Sequence, residues 1–216
     1  MSGYIRTGRA YEIGGELTLT QEETAETIVP DYCPDIARII SAEGVVCLHG
    51  GTEQDGVTGT VRVTVLYTPE NESGVRALEF AMPFSAQGEG LAGCAHVVVE
   101  TEIELLESRM LNPRKIFTRC KLVTHLAGCR KVCLTISSDA ETDPALLVEK
   151  RCCGQTVSLL RQVAEKDLTF SETMSLSLGR EGAAELLHCR ANGIVTETKA
   201  IGNKLIFKGV FLVSAL

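Results

Sequence analysis

Apolar and polar residues alternate with a period of two over long stretches of the chain, the spacing of strands that bury one face. Val61, Val63, Val65 and Tyr67 alternate with Thr60, Arg62 and Thr64, and Leu78, Phe80, Met82 and Phe84 alternate with Ala77, Glu79 and Ala81. A third run sets Val97, Val99, Thr101, Ile103 and Leu105 against His96, Glu100, Glu102 and Glu104. A fourth sets Thr118, Cys120, Leu122 and Leu126 against Arg119, Lys121 and His125, and Val132, Leu134 and Ile136 make a fifth. Between the third and fourth runs, Leu111-Asn112-Pro113-Arg114 favours a reversal, because Asn accepts turn conformations and Pro fixes its own dihedral; the two runs read as a long antiparallel hairpin. Turn chemistry also separates the other runs, at His49-Gly50-Gly51-Thr52, Pro69-Glu70-Asn71-Glu72-Ser73-Gly74 and Gly88-Glu89-Gly90. The pattern predicts a mainly β protein, an antiparallel β-sandwich or partly open barrel.

One short helix per repeat is predicted beside these strands. In Cys33-Pro34-Asp35-Ile36-Ala37-Arg38-Ile39-Ile40-Ser41, Pro and an acid occupy a first turn, and Ile36, Ile39 and Ile40 follow at helical spacing. A weak internal repeat runs through the chain. Glu26-Thr27 recurs as Glu172-Thr173, the Ile36, Ile39, Ile40 triplet as Ala183, Leu186, Leu187, and Gly59 to Leu66 as Gly209 to Leu216. Residues 1–145 therefore read as one complete β-domain, and residues 146–216 as the first part of a second, truncated repeat or as strands completing the first domain. Tyr4 to Thr18 reads as an edge strand or an unpaired arm.

The formal charge of −7 lacks the basic footprint of a nucleic-acid reader and disfavours anionic lipid. No apolar run is long enough for a membrane helix, and Met1 to Arg9 lack the apolar core of a signal peptide, so no membrane insertion is expected. Nine cysteines without an export signal read as reduced cytosolic thiols, several of them acting as small buried apolar residues.

Candidate chemistry is sparse. Gly88-Glu89-Gly90-Leu91-Ala92-Gly93 matches a dinucleotide fingerprint, but a strand pattern follows it where a helix N-terminus must meet the phosphates, so it reads as a Gly-rich connection and no cofactor is expected. Glu100, Glu102, Glu104 and Glu107 read as a charge ladder paired with Arg119 and Lys121 of the neighbouring strand. Cys129 and Cys133, like the adjacent Cys152 and Cys153, lack the spacing of a zinc knuckle, so no metal is expected. The four histidines form no catalytic motif, and no catalytic residue is assigned. A thiol enzyme would need a cysteine of depressed pKa beside a histidine.

One segment concentrates unusual chemistry. Val29-Pro30-Asp31-Tyr32-Cys33-Pro34-Asp35-Ile36-Ala37-Arg38 carries two prolines, two acids, a tyrosine and an arginine. Read structurally, Pro30 stiffens the approach, Asp31 or Asp35 caps the predicted helix, and the Ile face docks on the sheet. Read functionally, Pro30, Asp31, Tyr32, Pro34, Asp35 and Arg38 form a protein-docking patch, Tyr and Arg being residue types favoured at interfaces.

This segment, with the strand ending Val65-Leu66-Tyr67 and with Leu111-Asn112-Pro113-Arg114-Lys115, resembles the SPOCS domain. That module recurs in spore coat assembly proteins of the SipL type in endospore-forming bacteria, and the resemblance covers about residues 20–137. The second copy reads Leu176-Ser177-Leu178-Gly179-Arg180-Glu181 where the first has its Pro-Asp motif, and no LysM segment stands in the sequence. The resemblance implies a non-enzymatic assembly module of the endospore envelope, acting through protein contacts in the mother-cell cytoplasm at the forespore surface. Its implied partners are spore envelope proteins, among them the coat basement ATPase, which SipL-type proteins contact chiefly through a LysM module; self-association is compatible with it. The alternative from another class is a small-molecule or glycan-binding β-sandwich, for which the scarcity of aromatics leaves few stacking platforms.

Overall fold

A computed structural model of the chain describes residues 5–49, 56–137, 145, 147, 149, 151, 156, 158–164, 169, 171–173 and 186–216. Its elements are β1 (Ile5–Ile28), β2 (Ile36–Leu48), β3 (Gly56–Pro69), β4 (Arg76–Gln87), β5 (His96–Asn112), β6 (Lys115–Ser137), β7 (Cys189–Ile201) and β8 (Lys204–Ala215). The protein is mainly β. Its described strands form two three-stranded antiparallel sheets, β1-β6-β5 and β2-β3-β4, and a two-stranded sheet, β7-β8. β2 runs beside β5 and β1 beside β4, and the sheets do not close into a barrel.

The alternating runs are these strands. On β3, Val57, Val61, Val63, Val65 and Tyr67 are buried; on β6, Ile116, Thr118, Cys120, Leu122, Thr124 and Leu126 are. Residues of both sheets form one core, with Leu78, Met82 and Phe84 of β4 and Ile36 of β2. The two buried threonines are satisfied across the strands: Thr118 bonds Ser108 at 2.8 Å, and Thr124 bonds Thr101 at 3.0 Å. Pro83 cannot donate to a ladder and sits on β4, an edge strand of its sheet. The fifth run, Val132 to Ile136, continues β6 rather than forming a strand of its own.

One expectation is corrected, and one open alternative is decided in favour of an edge strand. The segment predicted as a helix has none: Cys33 to Asp35 are loop, and Ile36 to Ser41 open strand β2. Register shifts between Ile36 and Arg38 and between Ile39 and Ser41 reset the alternation, so bulges hide the strand period and leave the three isoleucines at a spacing that imitates a helix. Of the second proposed helix, 180–187, residues 180–185 lie outside the described residues, and Leu186 and Leu187 are described and not helical. The opening segment, in turn, is paired throughout: β1 follows β6 from Ile5 opposite Ser137 to Ile28 opposite Lys115.

The outer face of β1-β6-β5 is laced by charge. Lys115 pairs with Glu26, Arg119 with Glu22 at 2.6 Å and Lys121 with Glu104 at 2.8 Å. The expected ladder is thus present for Lys121, whereas Arg119 turns to β1, a strand the sequence reading had not paired with it. Its guanidinium bond holds the Glu22 carboxyl below the usual carboxylate range, on a side chain about half in solvent.

Candidate functional site

The residues singled out for docking lie in the loop joining β1 to β2, between Val29 and Ile36. Pro30 and Cys33 close a turn through the Cys33 N–H and the Pro30 carbonyl at 2.9 Å. The β5–β6 hairpin turn reaches this loop from the side. There the Asn112 carboxamide oxygen accepts the Arg114 N–H at 2.9 Å, which fixes the turn and aims the Arg114 side chain.

Arg114 grips the loop with both ends of its guanidinium. One terminal nitrogen donates to the Cys33 carbonyl at 2.8 Å and to Asp35 at 3.0 Å; the other donates to the Val29 carbonyl at 2.8 Å and to Asp31 at 3.1 Å. A planar fork suits this task, because it holds two carboxylates and two carbonyls at fixed angles where a lysine offers one point charge. Backbone bonds reinforce the grip: Val29 N–H to the Arg114 carbonyl, Ile36 N–H to the Pro113 carbonyl and Glu70 N–H to the Asp35 carbonyl, each at 2.9 Å. From beneath, the Tyr67 hydroxyl donates to the Pro34 carbonyl at 3.3 Å. Burial, with Cys33 alongside, pushes the Tyr67 phenol up to about 12, so it stays a neutral donor.

The clasp therefore joins two motifs that stand far apart in the chain. It brings Asp31 and Asp35 together on Arg114, and Pro30 and Pro34 shape the loop it holds. Arg38 lies apart, exposed on β2, its carbonyl accepting from Thr68 at 3.3 Å. Tyr32 is the residue the clasp leaves out: it is 87% exposed at the loop's apex. Ile28, 71% exposed, ends β1 next to the loop, and Met110 and Leu111 are exposed where β5 meets the same turn. Sequence reasoning missed these three and the role of Arg114, although it had marked Asn112-Pro113-Arg114 as a turn.

The remaining candidates separate from this site. Gly88 to Gly93 lie in the connection between β4 and β5, with Gly90 and Gly93 at positive φ, and a strand follows. The described residues hold no group of three or more potential metal ligands. Cys129 and Cys133 are both on β6, the first buried and the second exposed, while Cys152 and Cys153 lie outside the described residues. Burial, helped by Glu23, pushes the Cys120 thiol up to about 11, the opposite of an activated nucleophile. His49, His96 and His125 bond hydroxyls of Thr60, Tyr11 and Thr18, and His188 meets Glu43 at 3.2 Å. An open groove of about 600 Å3 runs between the β2-β3-β4 sheet and residues 186–189, with Val45, Cys47, Phe80 and Leu187 among its walls. No described helix is long and apolar enough to cross a membrane.

The clasp pairs both acids of the loop with one guanidinium, which fixes the shape of the loop. Comparison with protein-family models finds no matching family, and comparisons with curated proteins and with solved structures return no match.

Proposed function

We propose that the chain is a non-enzymatic assembly module that acts through protein contacts, with the β1–β2 loop as its docking surface. The observation that carries this reading is the division of labour in the loop: Asp31 and Asp35 both pair with Arg114, while Tyr32 projects into solvent and exposed Ile28 ends the strand that leads into the loop. A loop whose backbone is already held presents its aromatic residue without a further cost of ordering that backbone on binding, which favours an interface anchor. Together with the resemblance to the SPOCS domain, this supports a scaffolding role in the endospore coat, at the forespore surface in the mother-cell cytoplasm, with spore envelope proteins as partners.

The test is the position of a fluorescent fusion of the full protein in sporulating cells, beside the same fusion carrying Tyr32→Ala. The reading predicts a shell around the forespore for the first and dispersed signal for the second. A dispersed signal in both, with normal spores formed, overturns the scaffolding role; a shell in both overturns the docking role of Tyr32.

A further inference from the structure

The outer face of β1-β6-β5 treats its charges in two ways. Toward the β5–β6 turn, Glu26, Glu22 and Glu104 are each bonded within the sheet, to Lys115, Arg119 and Lys121. Beyond Lys121 that pairing stops. The register sets Glu102 opposite Val123, Glu100 opposite His125 and Glu16 opposite Ala127, and then, farther along, Lys131 opposite Tyr11 and Arg9 opposite Cys133. Opposed residues share a face, and the bulge between Ile13 and Gly15 absorbs one residue of β1, so Arg9 and Tyr11 keep the same face as Glu16 and Thr18.

Three acids and two bases thus lie exposed on one strip, sorted by sign. Among the described residues none of the five is in an ion pair. The histidines between them are engaged elsewhere, His125 with Thr18 at 3.0 Å and His96 with Tyr11 at 3.3 Å. Where the signs meet, the strip is apolar: Ile13 is 62% and Val98 51% exposed, on either side of Gly128. Charges that could have been interleaved, as they are nearer the turn, are here held apart.

A strip of this pattern is complementary to its own reverse. A twofold axis lying in the face, across the strands at Gly128, carries the row of Lys131 onto that of Glu100 and His125, and the row of Arg9 onto that of Glu102 and Val123. The row of Ile13 then falls on that of Ala127 and Val98, with Glu16 one row from the other copy's Lys131. We infer that this strip is a contact between two copies of the chain, stacked face to face about that axis with the acidic rows of each over the basic rows of the other. A partner of a single charge would match only one half of it. An isologous contact closes on itself and stops at the dimer. From Val123 to Cys133 the strip is about 35 Å long and two to three strands wide, at the small end of specific interfaces, so the dissociation constant is on the order of micromolar. The inference uses neither the β1–β2 loop nor Arg114 and stands apart from the reading of Tyr32.

A charge-reversal cycle tests it, read by sedimentation velocity of the full chain over a dilution series. Lys131→Glu and Glu100→Lys are each expected to weaken the dimer about tenfold or more, and the two together to regain most of that loss, because the pair reforms with its signs exchanged. Lys204→Glu, at the β7–β8 turn, changes the net charge as Lys131→Glu does and is expected to leave the dimer intact, as is Tyr32→Ala. Carbodiimide coupling of mixed light and heavy-isotope chains depends on no variant. It is expected to join Lys131 of one copy to Glu100 of the other, a link one chain cannot make by itself because the two rows stand about 20 Å apart along β6. A monomer at every concentration overturns the inference, as does a dimer indifferent to either single reversal, a double variant no tighter than the singles, or the absence of a mixed-isotope link. Equal weakening by Lys204→Glu and Lys131→Glu overturns it too, since net charge alone would then be at work.

Discussion

Val61, Val63 and Val65 of β3 are buried, whereas Leu205, Phe207 and Val210 of β8 are more than half exposed, although both strands are rich in β-branched and aromatic residues. The difference lies in what stands against them. β3 is the middle strand of its sheet and shares a core with a second sheet; β8 is an edge strand of a ribbon. Strand pattern fixes which face is apolar, and only a covering layer turns that face into stability. The loops differ in the same way: the β1–β2 loop is clasped by Arg114, while the β7–β8 turn rests on Gly202 at positive φ.

The sharpest way to break this contrast is by truncation. Leu122→Ala in the body is expected to cost about 3 kcal/mol, the lost transfer energy plus the cavity, and Leu205→Ala at low protein concentration less than about 1 kcal/mol. Urea unfolding midpoints measure both, and equal losses would mean that the hairpin is covered even in a single chain. Removal of the clasp comes next. Arg114→Ala strands the Val29 and Cys33 carbonyls, the two carboxylates being free to hydrate, and is expected to cost about 2 kcal/mol, and Arg114→Lys about half of that, since the charge remains and the fork does not.

Alkali should unfold the body through its buried acids. Tyr67 is raised to about 12 and Cys120 to about 11, each above its ordinary value, so the folded chain holds these protons where the unfolded chain has released them. The stability they contribute is whole below about pH 9 and is lost as pH rises through about 12; on the order of 2 kcal/mol of it belongs to Tyr67, and Tyr67→Phe should flatten that part of the pH profile. Glu104→Gln is expected to cost less than about 1 kcal/mol in urea, because its bond to Lys121 is half in solvent. The smallest effect is a titration. By NMR, Glu22 should titrate below an ordinary glutamate, its pairing with Arg119 holding above the ordinary carboxylate range and fading as pH falls through the lowered value. Arg119→Gln should return it to the ordinary range.

Strands β3, β4 and β6 could be read from alternation alone because each keeps one face in the core over its central residues; in β5 the alternation holds only to Ile103, where a register shift sets Leu106 rather than Leu105 against the core. β1 could not: Gly8, Gly14 and Gly15 and its many Thr and Glu residues dilute the signal, and its order comes from pairing along the whole of β6. β2 was read as a helix because two bulges shift its period where local pattern is the only guide. At the candidate site, the residue types of the Pro-Asp loop were legible and their partner was not. Arg114 lies more than eighty positions from Cys33, and only the closing of β1 and β5 onto β6 sets the turn beside the loop. Asp31 and Asp35 are both tied to Arg114 while their carboxylates still reach solvent, and Tyr32 projects from the same loop.

The role of the clasp in holding the loop is tested most directly by the urea midpoint of Tyr32→Ala measured beside that of Arg114→Ala. The account predicts that Tyr32→Ala unfolds within about 0.5 kcal/mol of the unmodified protein, because an exposed side chain holds nothing, while Arg114→Ala unfolds markedly earlier. Equal destabilisation by the two, or none by Arg114→Ala, would contradict it: the loop would then owe its shape to Tyr32 or to the backbone alone, and the clasp would not be what presents the surface.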